Sequence, residues 1–306
     1  MSIKRAAEIL RAGGLVVFPT ETVYGLGCDA ANPHAVARVF EAKGRPRFNP
    51  LIAHVAGIAE AAQHAELHPK ARALAETFWP GPLTLVAPRR AESAVAELAC
   101  AGLSTIALRA PAHPMARALL AAFGGPIAAP SANRSGHVSA TTAQHAKEDL
   151  GDAVDLVLDG GPCRIGLEST IVAVDQEGRA VLLRPGAVPR DAIEAIVGPL
   201  EAQTMSGAIE SPGMLESHYA PRARLVLDAA APPPGVPYLA FGSEAPPGGL
   251  TLSARGDLVE AAANLYAHLR ALDARGADMI AVAPIPATGL GEAIRDRLAR
   301  AAAPRA

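Results

Sequence analysis

The sequence predicts an α/β protein of two unequal domains, and three observations support that fold class. The chain has 306 residues, half of them apolar, which is enough for one large domain or two ordinary ones. Short apolar runs alternate with helical patterns and the late strands follow one another, so the first domain should hold a twisted mixed sheet with flanking helices. Regular patterns stop at residue 202 and resume at residue 224, in a pattern typical of a small Rossmann-like domain.

The elements of the first domain follow from apolar periodicity and from the glycines and prolines that interrupt it. Ile3–Arg11 is an amphipathic helix that Gly13 and Gly14 stop, and the apolar run at 15–18 is a buried strand that ends at Pro19. Further helices are expected at 33–43, 69–78, 114–123 and 142–150. Further strands are expected at 51–55, 83–86, 105–108, 127–129, 156–158, 170–174 and 181–183.

Residues 202–223 show neither helical nor strand periodicity and are rich in Gly, Ser, Pro and Met, which predicts a linker. The first domain is therefore placed at 1–201 and the second at 224–306. The second domain should contain strands at 225–227, 238–241, 250–252 and 279–283 and helices at 257–275 and 291–302.

Composition and charge argue against several classes of protein. A net charge of −2 gives the chain no overall attraction for nucleic acid or an acidic membrane, so a bound nucleotide is expected to be small. The sequence has no secretory signal pattern and no run of about 20 apolar residues, which predicts a cytoplasmic protein without membrane spans. Three scattered cysteines argue against a disulfide framework and against a cysteine-based zinc site.

Three familiar site patterns are absent or incomplete. The sequence has no GxxxxGK[ST] phosphate loop. Gly289 and Gly291 resemble the start of a dinucleotide fingerprint, but Ile294 occupies the third glycine position, which favours a tight strand-to-helix turn. His64 and His68 lie four residues apart on a predicted helix without an evident third metal ligand, so surface histidines are favoured and no metal site is predicted.

A basic loop at 43–51 is the strongest local signal for a ligand. Lys43, Arg45 and Arg47 lie among glycine and proline residues that prevent regular structure, and Asn49 follows them. Lysine and arginine donors on a loop are suited to binding phosphate. A solvated basic turn explains the same pattern, so both alternatives stay open for the loop taken alone.

Three further loops at the ends of predicted strands carry hydroxyls, amides and glycines. They span 19–27, 130–136 and 166–170. Proteins of the α/β class usually place their sites at such strand ends, where glycine lets the backbone approach a ligand and hydroxyls offer donors and acceptors. Turns favour the same residues without any function, so each loop alone also leaves both alternatives open.

Taken together, these segments resemble the ordered motifs of the YrdC-like family. The shared motifs are PTETVYGLG at 19–27, KGRPRFNPL at 43–51, FWPGPLTLV at 78–86, PIAAPSANRSG at 126–136, GLESTIV at 166–172 and LLRPGAV at 182–188. Two later segments resemble the two-domain version of the family, SPGMLESHYAP at 211–221 and GLGEAIRDRLARAA at 289–302. The resemblance covers nearly the whole chain and implies a YrdC-like catalytic domain at 1–201.

The resemblance implies a nucleotidyltransferase that joins L-threonine, bicarbonate or CO2 and ATP into L-threonylcarbamoyladenylate and pyrophosphate. A downstream tRNA threonylcarbamoyl-transfer complex would use the product to modify an adenosine next to the anticodon. Mg2+ is expected to accompany ATP, whereas a tightly bound cofactor and strong direct binding to nucleic acid are not expected. Positioning and charge neutralisation should dominate such a reaction, in a cleft that excludes water from the carbamate.

The resemblance also implies roles for individual residues. The expected ATP contacts are Arg45, Asn49, Thr105, Ser131, Ser139, Arg184 and Tyr219, with Lys43 and Arg45 as catalytic cations. The expected L-threonine contacts are Thr22, His54, Arg109, Ala129 and Ser169, with the Arg109 guanidinium on the substrate carboxylate. The linker, through Tyr219, is expected to fold over the cleft as a lid.

Two other functions compete with this hypothesis. An RNA-binding or ribosome-associated module is disfavoured because the chain is nearly neutral and does not interleave aromatic with basic residues. A carbamoyl-transfer domain on the same fold, acting on another acceptor, is disfavoured because the sequence also matches the lid and the threonine pocket of the family.

Overall fold

A computed structural model describes residues 2–201 and 218–304, and it confirms the predicted α/β class. The helices of the N-terminal part are α1 (Ile3–Arg11), α2 (Pro33–Lys43), α3 (Ile58–His64), α4 (Pro69–Phe78), α5 (Pro114–Phe123), α6 (Ala143–Leu150) and α7 (Arg190–Val197). Its strands are β1 (Val16–Phe18), β2 (Gly25–Asp29), β3 (Ile52–His54), β4 (Leu83–Pro88), β5 (Thr105–Arg109), β6 (Ile127–Ala128), β7 (Leu156–Val157), β8 (Thr170–Val174) and β9 (Ala180–Arg184).

These strands form one mixed sheet, as the succession of late strands predicted. Within the described residues its order is β7-β1-β2-β6-β3-β5-β4-β8-β9. The pairs β1–β7, β3–β5 and β4–β8 are parallel, and the other neighbours are antiparallel. The register places His54 opposite Arg109, so two polar residues meet at one edge of the sheet.

Helix caps explain why several helices begin and end where the sequence predicts. The Asn32 side chain accepts hydrogen bonds from the backbone N–H groups of His34 and Ala35, and Pro33 occupies the first helical position of α2. Gly44 ends the same helix in the left-handed conformation at φ 59°, which glycine adopts without a steric penalty. The basic loop therefore starts at a defined point, directly after α2.

Strand β2 and helices α3 and α7 were not predicted, and each lacked the expected signal. Strand β2 begins inside the loop predicted at 19–27 and continues to Asp29. Its glycines pack against β1, because a Cβ on Gly27 would lie 2.7 Å from the Phe18 ring. Helices α3 and α7 begin without a side-chain cap. His64 ends α3, whereas His68 caps α4, so the prediction that both lie on one helix is wrong.

The C-terminal part is a smaller α/β unit, as predicted. Its elements are β10 (Arg224–Val226), β11 (Tyr238–Phe241), β12 (Leu250–Ser253), α8 (Leu258–Asp273), β13 (Met279–Val282) and α9 (Leu290–Ala302). Its strands pair in the order β10-β13-β11-β12, all parallel, which fits the Rossmann-like prediction. Gly289 turns the chain into α9 at φ 56°, so the prediction of a strand-to-helix turn there is confirmed.

The two parts share buried apolar surface. Val23, Val138 and Leu167 of the N-terminal part belong to the same buried cluster as Leu265 and Tyr266 of α8. The division at 202–223 stays a prediction, since residues 202–217 lie outside the described ranges. Among the helices of residues 2–201 and 218–304, none combines the length and apolarity that crossing a membrane requires.

Candidate active site

A small cleft with a cavity volume of about 50 Å3 opens where several strand ends of the large sheet meet. His54 ends β3, Arg109 ends β5 and Arg184 ends β9, while the loops after β1 and β6 complete the wall. The lining residues are Thr20, Thr22, Val23, Tyr24, Gly25, Arg45, Ile52, His54, Arg109, Ala129, Pro130, Ser131, Glu168, Ser169, Arg184, His218 and Tyr219. The cleft thus unites the polar loops that the sequence singled out.

Arg45 ties the basic loop together from inside the cleft wall. Its Nε donates to the Asn49 carbonyl at 3.2 Å, and its Nη2 donates to Asn49 Oδ1 at 2.6 Å and to the Pro50 carbonyl at 2.9 Å. Among the described residues, no acceptor engages Nη1, so its two hydrogens remain for a ligand. Burial lowers the pKa of Arg45 to about 10, and the guanidinium stays charged at neutral pH.

Lys43 is not among the residues that line the cleft, and its role as a phosphate cation stays a prediction. Its buried ammonium donates to the Ser131 carbonyl at 2.6 Å and to the Asn133 carbonyl. Burial, with the charge of nearby Arg45, holds the pKa of Lys43 well below its usual value. The contacts make Lys43 a clamp on the loop after β6, which carries the cleft residue Ser131.

Three other predicted ATP contacts also lie off the cleft wall. Asn49 is buried behind the wall, where its side chain accepts from Arg45. The Ser139 hydroxyl donates to Glu168 Oε1 at 2.6 Å and is fully buried there. Thr105 begins β5 whereas Arg109 ends it, which places Thr105 about 13 Å from Arg109 along the strand at a rise of about 3.3 Å per residue. Ser139 reaches the cleft through Glu168, whereas Asn49 Nδ2 is buried with no hydrogen-bond partner among the described residues.

Arg109 is held by a buried ion pair. Its Nη2 lies 2.5 Å from Glu21 Oε1, its Nη1 donates to Thr22 Oγ1 at 2.9 Å and its Nε donates to the Gly81 carbonyl at 3.2 Å. The Glu21 carboxylate also accepts from the backbone of Ala112 at 3.0 Å. Burial raises the pKa of Glu21, but the charge and hydrogen bond of Arg109 outweigh it and the net shift is downward. Two of the five guanidinium hydrogens remain for a ligand.

Ser169 lies between two buried partners at the start of β8. Its hydroxyl lies 2.7 Å from Thr84 Oγ1, and Arg184 Nη2 donates to its carbonyl at 2.9 Å and to its Oγ at 3.1 Å. Burial lowers the pKa of Arg184, with the charge of Arg297 acting in the same direction. The arrangement places a hydroxyl and a guanidinium side by side on the wall.

Two histidines in the cleft are neutral. Burial lowers the pKa of His54 to about 3, helped by the charge of Arg109. Burial also lowers the pKa of His218 to about 3, helped by the charge of Arg45. The Nδ1 atoms of both rings are buried and have no hydrogen-bond partner among residues 2–201 and 218–304. Each ring can therefore exchange a hydrogen bond with a ligand without carrying charge.

Glu168 is the functional candidate that the residue-level predictions missed. Its carboxylate accepts from Ser139, from the Tyr266 hydroxyl at 2.8 Å and from Arg297 Nε at 2.7 Å. Burial raises the pKa of Glu168, but the charges of Arg297 and Arg184 and the hydrogen bonds lower it to about 2. Glu168 lies within GLESTIV, so the motif gave a signal, but its cationic partner Arg297 is 129 residues away in sequence.

Nine of the thirteen predicted site residues line the cleft: Thr22, Arg45, His54, Arg109, Ala129, Ser131, Ser169, Arg184 and Tyr219. Lining residues that were not predicted include Thr20, Tyr24 and His218, each inside a motif that the sequence had singled out. Thr20 donates to the Val23 carbonyl and Tyr24 donates to the Gly161 carbonyl, so two of these residues bond to backbone groups. Residue type alone does not reveal that geometry.

Comparisons with known proteins agree over almost the whole chain. A family described as "Telomere recombination" (Sua5_yciO_yrdC) matches residues 8–186, and "Threonylcarbamoyl-AMP synthase, C-terminal domain" matches residues 188–303. Threonylcarbamoyl-AMP synthase of Bacillus subtilis is 41% identical, covering 99% of this chain and 93% of that protein. The Pyrococcus abyssi protein of the same name is 40% identical, covering 98% and 93%. The crystal structure of P. abyssi Sua5 complexed with L-threonine has a TM-score of 0.90 at 39% identity, covering 98% of this chain and 94% of that one.

Proposed function

We propose that this chain, which belongs to the Sua5–YciO–YrdC family, joins L-threonine, bicarbonate or CO2 and ATP into L-threonylcarbamoyladenylate and pyrophosphate. The chain is a threonylcarbamoyl-AMP synthase in this proposal, since full-length relatives of 40% and 41% identity carry that name. The observation that supports the chemistry is one cleft lined by three arginine guanidiniums. We call the side of Arg109, which pairs with Glu21, the Arg109 end, and the side of Arg45, whose pKa burial and the charge of Arg184 lower, the Arg45 end.

The Arg109 end suits the amino acid. Two guanidinium hydrogens remain beyond the bonds to Glu21, Thr22 and Gly81, and a substrate carboxylate can accept both. Neutral His54 and the Ser169 hydroxyl supply uncharged partners for the threonine amine and hydroxyl, with Thr22 and Ala129 completing the subsite. A pocket that hydrogen-bonds a substrate hydroxyl discriminates strongly against analogues without it. The relative crystallised with L-threonine shares this fold.

The Arg45 end suits the nucleotide. The free Nη1 hydrogens of Arg45 and the guanidinium of Arg184 neutralise phosphate charge, and Ser131 and Tyr219 supply further polar contacts. The negative charge that develops on the pyrophosphate leaving group is stabilised there. Lys43 contributes indirectly, because it fixes the loop that carries Ser131.

The reaction needs no covalent nucleophile from the protein. The neutral threonine amine bonds to the carbon of CO2 with release of a proton, or to the carbon of bicarbonate with release of water, and a carbamate forms. A carbamate oxygen then bonds to the α-phosphorus as the bond to pyrophosphate breaks. Positioning accounts for most of the acceleration of such a step. Since water would decompose the carbamate, His218 and Tyr219 should cover the cleft. The predicted lid otherwise falls on residues 202–217, outside the described residues.

Magnesium is expected to arrive on the nucleotide. Within residues 2–201 and 218–304, no group of three or more His, Cys, Asp or Glu side chains could hold a metal. Two acidic side chains lie at the cleft, and each already forms an ion pair: Glu21 with Arg109 and Glu168 with Arg297. The described part of the chain therefore offers Mg2+ no free carboxylate in this cleft, and the phosphates of ATP would have to hold it.

The proposed product is a reactive mixed anhydride that needs an acceptor. A downstream tRNA threonylcarbamoyl-transfer complex would use it to modify the adenosine next to the anticodon. Direct strong binding of nucleic acid by this chain is not required, since the intermediate can be handed on. The formal net charge of −2 supports that division of labour.

Pyrophosphate release tests the proposal. Purified protein is incubated with ATP, L-threonine and bicarbonate, and pyrophosphate is measured in parallel reactions that each omit one substrate. Because the carbamate must form before it attacks ATP, release should require threonine and the carbon source together. Pyrophosphate or phosphate release that continues at full rate without threonine would contradict the proposal.

A further inference from the structure

Two side chains of the C-terminal part reach the carboxylate at the cleft. Arg297 on α9 donates from Nε to Glu168 Oε2 at 2.7 Å, and the Tyr266 hydroxyl on α8 lies 2.8 Å from the same oxygen and 3.1 Å from Oε1. The Arg297 and Tyr266 side chains are fully buried, although arginine is almost never fully buried unless it is paired. Glu168 itself lies on the cleft wall.

Arg297 contacts two further parts of the same wall. Its Nη2 donates at 2.9 Å to the carbonyl of Pro185, the residue directly after Arg184. Its guanidinium lies over the Tyr219 ring, 5.1 Å from the centroid, and the Tyr219 ring stacks on Tyr266 with centroids 5.8 Å apart. One guanidinium thus fixes a carboxylate, a backbone carbonyl and an aromatic ring relative to one another.

The geometry of arginine matters for this arrangement. Its planar guanidinium donates in fixed directions and also stacks on aromatic faces, whereas a lysine ammonium is a compact charge on a flexible stem. Displacement of an active-site group by about 1 Å from a change far from the chemistry can cost about 100-fold in rate. Simple attachment of the two parts is a separate task, to which the partly exposed pair Arg190–Glu292, 2.6 Å apart, contributes.

Arg297 contacts Glu168, Pro185 and the Tyr219 ring, and among the described residues neither Arg297 nor Tyr266 forms a hydrogen bond to the Arg109 side. Glu168, Arg184 and Tyr219 belong to the proposed nucleotide end or adjoin it. The Arg109 guanidinium bonds instead to Glu21, Thr22 and Gly81, all in the N-terminal part. A defect in Arg297 should therefore affect the two substrates unequally.

We propose that Arg297 and Tyr266 are positioning residues for ATP, through which the C-terminal part sets the arrangement of Glu168, Arg184 and Tyr219. The inference rests on the proposed function, because it assigns ATP to this end of the cleft. Helices α8 and α9 would then influence ATP binding through Tyr266 and Arg297, which contact the cleft wall from its far side. Neither Arg297 nor Tyr266 lines the cleft, so neither is a catalytic residue.

The test compares four variants with the wild type. Arg297→Met removes the cation, Arg297→Lys keeps the charge without the planar donors, and Tyr266→Phe removes one hydroxyl while keeping the ring. Glu292→Gln is the matched control, because it breaks another contact between α9 and the N-terminal part away from the cleft. The measurements are KM for ATP, KM for threonine, kcat, and the dissociation constant of ATP alone by calorimetry. Circular dichroism establishes that each variant is folded.

The expected result is a selective loss of ATP use. Arg297→Met should lower kcat/KM for ATP about 100-fold, and Tyr266→Phe about tenfold for one lost hydrogen bond to a charged group. For Arg297→Lys, kcat/KM for ATP should lie between the values of Arg297→Met and the wild type. In each variant KM for threonine should change less than KM for ATP. If Arg297→Met does not fold, Arg297→Lys and Tyr266→Phe carry the test, because both keep the site filled.

Two outcomes overturn the inference. One is an unchanged dissociation constant for ATP in the folded Arg297 and Tyr266 variants. The other is an equal loss in Glu292→Gln, which would reduce Arg297 to a general contact between the two parts. A wild-type protein that binds ATP but forms no adenylate would instead contradict the proposed function, and the calorimetric comparison of variants would still decide the role of Arg297.

Discussion

At the scale of single residues, buried arginines and their carboxylate partners determine how the cleft is built. The resemblance to the YrdC-like family predicted that Arg45, Arg109 and Arg184 would gather at one site, although Arg109 lies outside the shared motifs. It did not predict the partners that hold them, since Glu21 and Glu168 are adjacent to predicted contacts but take their roles from distant residues. Long-range pairing of this kind has no local pattern.

Substitution of the two arginines should separate the substrates. Arg109→Ala removes the donors proposed for the threonine carboxylate and should raise KM for threonine by about 10- to 100-fold, with little change for ATP. Arg45→Ala removes the free Nη1 donors and should raise KM for ATP, with little change in KM for threonine. Steady-state kinetics with each substrate varied in turn provides the measurement. Equal losses for both substrates in both variants would contradict the assignment.

The Glu21–Arg109 pair should also matter for stability. Glu21 is 5% exposed and Arg109 is 4% exposed, so Glu21→Gln leaves a buried cation without its counter-charge. The expected cost is about 3 kcal/mol in the free energy of unfolding. Glu8→Gln is the matched control, since its pair with Arg5 is largely exposed and should contribute less than about 1 kcal/mol. Urea denaturation measures both, and similar losses in the two variants would argue against a structural role for the buried pair.

At the scale of elements, the sequence predicted most clearly those helices that carry explicit start and stop residues. Helix α2 has Asn32, Pro33 and Gly44 at its ends, and its predicted bounds agree with the structure. Helices α3 and α7 have no side-chain cap and were not predicted. Strand β2 contains two glycines, and glycine is as typical of a turn as of this strand, so the sequence did not predict β2.

Gly44 offers a test at this scale. Its φ of 59° ends α2 directly before Arg45, and a Cβ there would meet no neighbouring atom within 4 Å. Gly44→Ala should therefore cost about 1 kcal/mol in the free energy of unfolding through backbone strain alone. Gly57→Ala is the matched control, because its Cβ is equally unobstructed but its backbone is extended. Thermal denaturation compares the two, and equal stabilities would contradict a strained cap at Gly44.

At the scale of the whole molecule, the N-terminal part and residues 218–219 line the cleft, and the C-terminal part supports it from behind. The order of motifs predicted two α/β units, but not that α8 and α9 would support the carboxylate of GLESTIV from behind. That contact joins residues 98 and 129 positions apart, and it depends on how the two units pack. A pattern read within one domain cannot contain it.

The shared apolar cluster predicts that the two parts unfold together. Val23, Val138 and Leu167 pack with Leu265 and Tyr266, so loss of either part exposes apolar surface of the other. Trp79 is the single tryptophan and lies in the N-terminal part, whereas far-UV circular dichroism follows helices of both. The two signals should give coincident urea transitions. Two separate midpoints would show that the parts are energetically independent.

The product itself tests the central claim most directly. The protein is incubated with ATP, 13C-labelled bicarbonate and 15N-labelled L-threonine, and the adenylates formed are identified by mass spectrometry. If the cleft performs the proposed reaction, one adenylate carries both labels and appears in step with an equal amount of pyrophosphate. An adenylate with the threonine label but without the carbon label, or ATP cleavage without any labelled adenylate, would contradict the account.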